Sequence, residues 1–248
     1  MKELTWKPIL SNLKEAFAEL RRTHNILHFL TFGELPKDSL FAGDAEYLEG
    51  LRKRERRNPF GELSLFINLE HAYHHLNWAW NCRHVPEVSV WESSDEDAKA
   101  WTRFPLTEDF ADLWPPDRSI KEDAGKLKGR IKCEPVRLAL MMASRKLEIL
   151  CCLVAKEIGG NWPRPKGLSP KVGKLPLSEE EFAGRMHRIY TDVNMAWNSR
   201  KDKIIVATKE AILRRTFFSS IFATGCYNMW EYNSLALPSH RRDGSEKG

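Results

Sequence analysis

Apolar residues recur along this chain at helical spacing. Ile9, Leu13, Phe17 and Leu20 fall at i, i+4, i+8 and i+11 and predict a first helix over 3–30, with Pro8 tolerated in its first turn. Gly33 and Pro36 end it. A shorter helix is expected over 44–57. Asn58 and Pro59 then break the chain before a helix over 60–84, which Pro86 closes. Residues 86–130 lack a clear period and are rich in Pro, Asp and Ser, yet they carry Trp91, Trp101, Phe104, Phe110 and Trp114. A disordered linker would not hold so many aromatics, so this stretch predicts a packed, aromatic-rich irregular insertion with a short helix near 107–114.

Residues 134–158 form the most apolar helix, opened by Pro135 and stopped by Gly159 and Gly160. A basic Pro/Gly loop from Trp162 to Pro176 connects it to a helix over 178–200, where Ser178 and Glu181 are spaced as a capping box. A last helix is expected over 205–231, and residues 233–248 read as a disordered tail. No stretch alternates as a strand. The fold class is therefore all-α, a helical bundle in a single domain over 1–232, with a first half at about 1–160 and a second at about 175–232.

Two of these helices carry the same words. Tyr73 to Arg83 and Tyr190 to Arg200 both read Tyr-x-x-[Leu/Val]-Asn-x-Ala-Trp-Asn-x-Arg, and Leu65 over Phe182 and Leu69 over Met186 extend the match upstream. Trp and Asn are not residues that helix propensity selects, so identity at six spaced positions predicts an internal duplication. At about 100° per residue, Tyr73, Asn77, Trp80 and Asn81 share one face with Arg83 at its edge, and Tyr190, Asn194, Trp197, Asn198 and Arg200 repeat it. Such a face either packs against its counterpart, with the Asn side chains bonding across a seam, or walls a pocket. The packing reading is favoured, because a buried Asn must find partners or cost about 1–3 kcal/mol.

Composition narrows the function classes. The chain has 248 residues, 29% of them charged, and a formal net charge of +5. This fits a globular protein with a sizeable core and allows an anionic partner without demanding one. The N-terminus lacks the apolar segment of a signal peptide and no apolar run is long enough for a membrane span, so a cytoplasmic location and no membrane association are expected. The five cysteines lack a Cys-x-x-Cys spacing and sit mostly in apolar helices, where they read as small core residues. Nucleotide-binding glycine loops and serine-hydrolase elbows are absent.

Charge placement points to a partner. Arg52, Lys53, Arg54, Arg56 and Arg57 form the densest basic run, and Lys126, Lys128, Arg130 and Lys132 form a second, with Arg164 and Lys166 in a third. Lying in or beside loops, these runs would bind phosphates with little sequence preference. The leading expectation is a non-catalytic binding module for RNA or single-stranded DNA, or a small subunit of a nucleoprotein complex contacting other protein subunits. It needs no cofactor.

Two alternatives belong to other classes. One is an enzyme with a polar site at the helix seam, drawing on Glu70, His74 and His187 with Asn77 and Asn194. A metal-dependent form of it is a minority reading: His71 and His75 are spaced i, i+4, as are Glu70 and His74, but the two pairs point about 100° apart, so no metal site is assigned. A second form rests on Arg22 and His28, whose separation resembles the Arg and His of HEPN-type ribonucleases. That resemblance implies RNA cleavage by these two residues, and the chain is not assigned to the family on a two-residue match. The other alternative is a structural homodimer formed through the repeat face.

Overall fold

A computed structural model describes residues 3–39, 41–102, 129–162 and 176–200, without the side chain of Asn198. The described residues are mostly helical and contain no strand. They form α1 (Trp6–Phe32), α2 (Ala45–Arg57), α3 (Glu62–Asn81), α4 (Glu87–Trp91), α5 (Asp95–Trp101), α6 (Cys133–Glu157) and α7 (Glu179–Asn198). The expected helices at 107–114 and 205–231 and the tail at 233–248 lie outside the described residues, as do Lys126, Lys128, Arg164 and Lys166.

Local chemistry sets the helix ends. Gly33 stops α1 with φ 77°, a left-handed conformation that costs glycine little, and its N–H reaches Phe29 O at 2.7 Å. Asp44 caps α2 by accepting the Tyr47 N–H at 2.9 Å. Ser178 caps α7 by accepting the Glu181 N–H at 3.1 Å, but the Glu181 carboxylate accepts from Arg185 at 2.7 Å, so the expected box is half made. The reciprocal box occurs at α5, between Ser94 and Asp97, in the stretch expected to be irregular. That stretch begins as two short helices, and its Trp101 ring meets Trp78 edge-on at 5.5 Å.

The core is built by α1, α3, α6 and α7. α1 packs on α3 and α6, and α6 packs on α7. α1 and α6 run antiparallel: Phe17 in α1 meets Trp162 just beyond the end of α6, while Arg137 near the start of α6 lies over Phe32 at the end of α1. Their buried faces use the same ladder. Ile9, Leu13, Ala16, Leu20 and Leu27 of α1 correspond, each 127 residues further on, to Val136, Leu140, Ala143, Leu147 and Val154 of α6, and all ten are fully buried. Pro8 and Pro135 hold the same place in the first turns. Burying ten such side chains gains about 1.5–3 kcal/mol for each larger one, which is the main force closing the bundle.

Candidate functional site

The repeated motif lies at the crossing of α3 and α7. Tyr190 Oη donates to Asn77 Oδ1 at 2.7 Å, and Tyr73 Oη donates to Asn194 Oδ1 in return. The two tyrosine rings stack at 5.4 Å. Burial holds both phenols well above their ordinary pKa, so they stay neutral donors. Arg83 lies over Trp80 at 3.9 Å and Arg200 over Trp197 at 3.7 Å. Each guanidinium also donates to the carbonyl of its own Trp and to a carboxylate at the start of the opposite helix: Arg83 Nε to Glu179 at 2.7 Å and Arg200 Nε to Glu62 at 3.0 Å. The Tyr, first Asn, Trp and Arg of each copy are thus engaged at the seam.

Asn77 does more. Its Nδ2 donates to Thr102 O at 2.7 Å, and Asn81 Nδ2 donates to Trp101 O at 2.9 Å, so the two amides hold the C-terminal end of α5. Asn194 Nδ2, equally buried, has no partner among the described residues. Glu62 and Glu179 were missed by the sequence reading, although both stand eleven residues before the motif's Tyr and the same offset would have found them.

The seam is a packed layer. Tyr73, Asn77, Tyr190 and Asn194 are each at most 2% exposed. Glu70, His74 and His187 are half-buried, while His71 is exposed and His75 places Nδ1 3.2 Å from Asn12 Oδ1. Among the described residues no group of three His, Cys, Asp or Glu side chains converges to hold a metal ion. Cys82, Cys151 and Cys152 are buried free thiols, with burial pushing Cys82 and Cys151 up to about 12.

Arg22 and His28 are not brought together. Arg22 is exposed and pairs with Glu19 at 3.2 Å, about 120° around α1 from His28. The face that carries His28 instead carries Arg21 and His24, and Arg137 of α6 approaches it. The His24 and His28 rings lie 6.0 Å apart. Burial first, then Arg137 and Arg21, push His24 down to about 4, so it is a neutral imidazole. Neither of its ring nitrogens has a hydrogen-bond partner among the described residues. Arg137 is tied to Glu134 by two bonds of 2.7 Å and Arg21 to Asp38 at 2.8 Å.

Basic side chains gather at one edge. Arg54, Arg56 and Arg57 occupy the last turn of α2, and with Arg52 and Lys53 they belong to its solvent-facing side. Four residues past Arg57, Gly61 forms an antiparallel bridge with Arg130, and Glu62 N–H donates to Gly129 O at 3.0 Å. Gly129 N–H donates in turn to Glu62 Oε2 at 2.9 Å. This clasp holds the exposed Arg130 opposite Gly61, while the N–H of the exposed Lys132 donates to Arg200 O at 2.8 Å. The bridge thus brings the backbone of the second run to a point four residues past Arg57. Among the described residues, Lys53, Arg54, Arg56, Arg57, Arg130 and Lys132 form no ion pairs, while Arg52 approaches Glu49 at 3.8 Å.

No family model, curated protein or solved structure matches this chain. No helix among the described residues is long and apolar enough to cross a membrane.

Proposed function

We propose that the protein is a non-catalytic helical module that binds RNA or single-stranded DNA, alone or as a small subunit of a nucleoprotein complex. The observation that carries this reading is the clasp between Gly61 and Arg130, which adds Arg130 and Lys132 to the arginines ending α2. Cations clustered on one edge without carboxylate partners attract phosphates and release their counterions, giving tight but salt-sensitive binding. The burial of the seam supports the same reading, since its Tyr–Asn and Arg–Glu pairs are already bonded across it and a substrate would have to displace them.

Binding of short fluorescent RNA and single-stranded DNA across a salt series tests it. Affinity is expected to fall linearly on a log–log scale, and Arg54→Gln with Arg57→Gln should lower that slope by roughly 0.7 for each phosphate no longer neutralised. Absence of binding at low salt overturns the reading. Cleavage of the RNA, abolished by His28→Ala, would move the assignment to the ribonuclease alternative.

We further propose that the α1–α3 and α6–α7 hairpins are copies of one duplicated unit. The shared apolar ladder, the matched prolines and the reciprocal Tyr–Asn and Arg–Glu contacts support it. Exchanging the ladder residues of α1 for those of α6, as Ile9→Val with Leu27→Val, should leave a folded bundle. Loss of the fold would count against common packing.

A further inference from the structure

A glycine sits in the middle of α2 without a packing reason. A Cβ built on Gly50 meets no atom within 4 Å, and its backbone does not require glycine. Interior glycine weakens a helix, and here it leaves one backbone position of α2 without a side chain. Such a position admits the close approach of something outside the chain.

The neighbours of Gly50 say what kind of thing. At about 100° per residue, Tyr47, Gly50, Lys53, Arg54 and Arg57 share one face of α2, with Glu46 at its N-terminal end. Tyr47 and Arg54 stand about 10 Å apart along the axis, with Gly50 on one side of the line between them and the buried Leu51 on the other. The Phe41 ring stacks on Tyr47 at 4.2 Å and 16°, and Phe41 remains 43% exposed. Its backbone is held in place: Phe41 N–H donates to Ser39 Oγ at 3.2 Å, that oxygen also accepts from Asn25 Nδ2, and Asp44 N–H donates to Phe41 O at 3.0 Å. A fixed aromatic surface thus adjoins the open backbone position at Gly50 and then cations.

We infer that this face of α2 is the site for an unpaired nucleotide, whose base stacks on the Phe41–Tyr47 pair and whose sugar–phosphate crosses Gly50 to Lys53, Arg54 and Arg57. The inference rests on the nucleic-acid reading above and adds the strandedness and the residues. A duplex keeps its base faces stacked internally and can offer only phosphates, so the site selects single strands.

The test is fluorescence anisotropy with a single-stranded oligonucleotide and a duplex of the same sequence at fixed salt. Gly50→Ala should raise the thermal midpoint, by improving the helix, while weakening single-strand binding about tenfold by filling that position. Phe41→Ala should weaken it about fivefold or more without changing the salt slope. Gly184 is a control: it also lies mid-helix with nothing within 4 Å, but beside the Glu181–Arg185 pair and no aromatic, so Gly184→Ala should stabilise and leave binding unchanged. Wild-type binding by both Gly50→Ala and Phe41→Ala, with weaker binding by Arg54→Gln, overturns the stacking site and leaves the basic edge standing. Equal or tighter binding of the duplex also overturns it, and no binding by the wild-type protein overturns both proposals.

Discussion

The α1–α3 hairpin and the α6–α7 hairpin bury the same apolar ladder but fill the equivalent polar positions differently. Where α1 carries His24 and Asn25, α6 carries Cys151 and Cys152. Where Lys146 of α6 holds Asp192 of α7 at 2.7 Å, the matching positions in the first hairpin are Glu19 and His75. The Arg200–Glu62 pair is sealed, with both side chains 3% exposed, while its counterpart Arg83–Glu179 is open to water and shared with His84. Apolar side chains at one depth are interchangeable because burial is non-directional, whereas polar ones need particular partners. The two hairpins therefore share the apolar ladder and differ in electrostatics.

The sharpest way to break the correspondence is through the two Arg–Glu latches. Removing one partner from a buried pair strands a charge that water cannot reach, which costs about 3–5 kcal/mol, while an exposed pair contributes about 0–1 kcal/mol. Glu62→Gln should therefore lower the free energy of unfolding in urea far more than Glu179→Gln does. Glu62 also accepts from Gly129 N–H, so its loss should loosen the clasp that carries Arg130. Equal costs would show that the latches are equivalent in solution.

Acid separates the two hairpins with opposite signs. His24 titrates near 6.5 when unfolded and at about 4 in the fold, so between those values the unfolded chain holds the extra proton. Its contribution is whole above pH 6.5 and is lost, to about 3 kcal/mol, as pH falls through 4. Asp192 runs the other way. Burial, outweighing Lys146, raises it from 3.8 to about 6, so between those values the folded chain holds the extra proton and stability rises on acidification by a similar amount, about 3 kcal/mol. From these two groups alone the wild-type protein should change little between pH 7 and 4. His24→Cys, which copies the second hairpin, should become more stable in acid, and Asp192→Asn less. Parallel pH profiles for the two variants would refute this assignment.

Much of this was legible in the residues, and the exceptions have physical causes. The all-α class and the ends of α2 and α6 follow from helical apolar spacing and from Asn58, Pro59, Pro135 and Gly159. The motif's seam was legible because Tyr, Asn and Trp are costly to repeat without a shared use. The match between α1 and α6 carries little signal because it is written in Leu, Ala, Ile and Val, which any buried helix face would use. Arg137 beside His24 was invisible since it depends on the antiparallel pairing of two helices more than 100 residues apart. Arg22 and His28 stand about 120° apart on α1, because six residues advance a helix by one turn and two thirds. The backbone bridge between Gly61 and Arg130 carries no local signal in the sequence.

The smallest contrast is within the motif. Tyr190→Phe takes the donor from Asn77 Oδ1, but Asn77 Nδ2 keeps its bond to Thr102 O. Tyr73→Phe takes the donor from Asn194 Oδ1, and among the described residues the amide nitrogen of Asn194 has nothing to hold. A buried amide unsatisfied at both ends should cost more than one unsatisfied at one, within a range of about 1–3 kcal/mol for each. Tyr73→Phe should thus destabilise more than Tyr190→Phe in the same urea titration. Adding Asn194→Leu to Tyr73→Phe should restore part of the stability, because removing both polar partners leaves no orphan, whereas adding Asn77→Leu to Tyr190→Phe should worsen it by abandoning Thr102. Identical behaviour in the two cycles would mean that Asn194 Nδ2 is satisfied as fully as Asn77 Nδ2, and that the seam is symmetric in its polar groups as well as in its apolar ones.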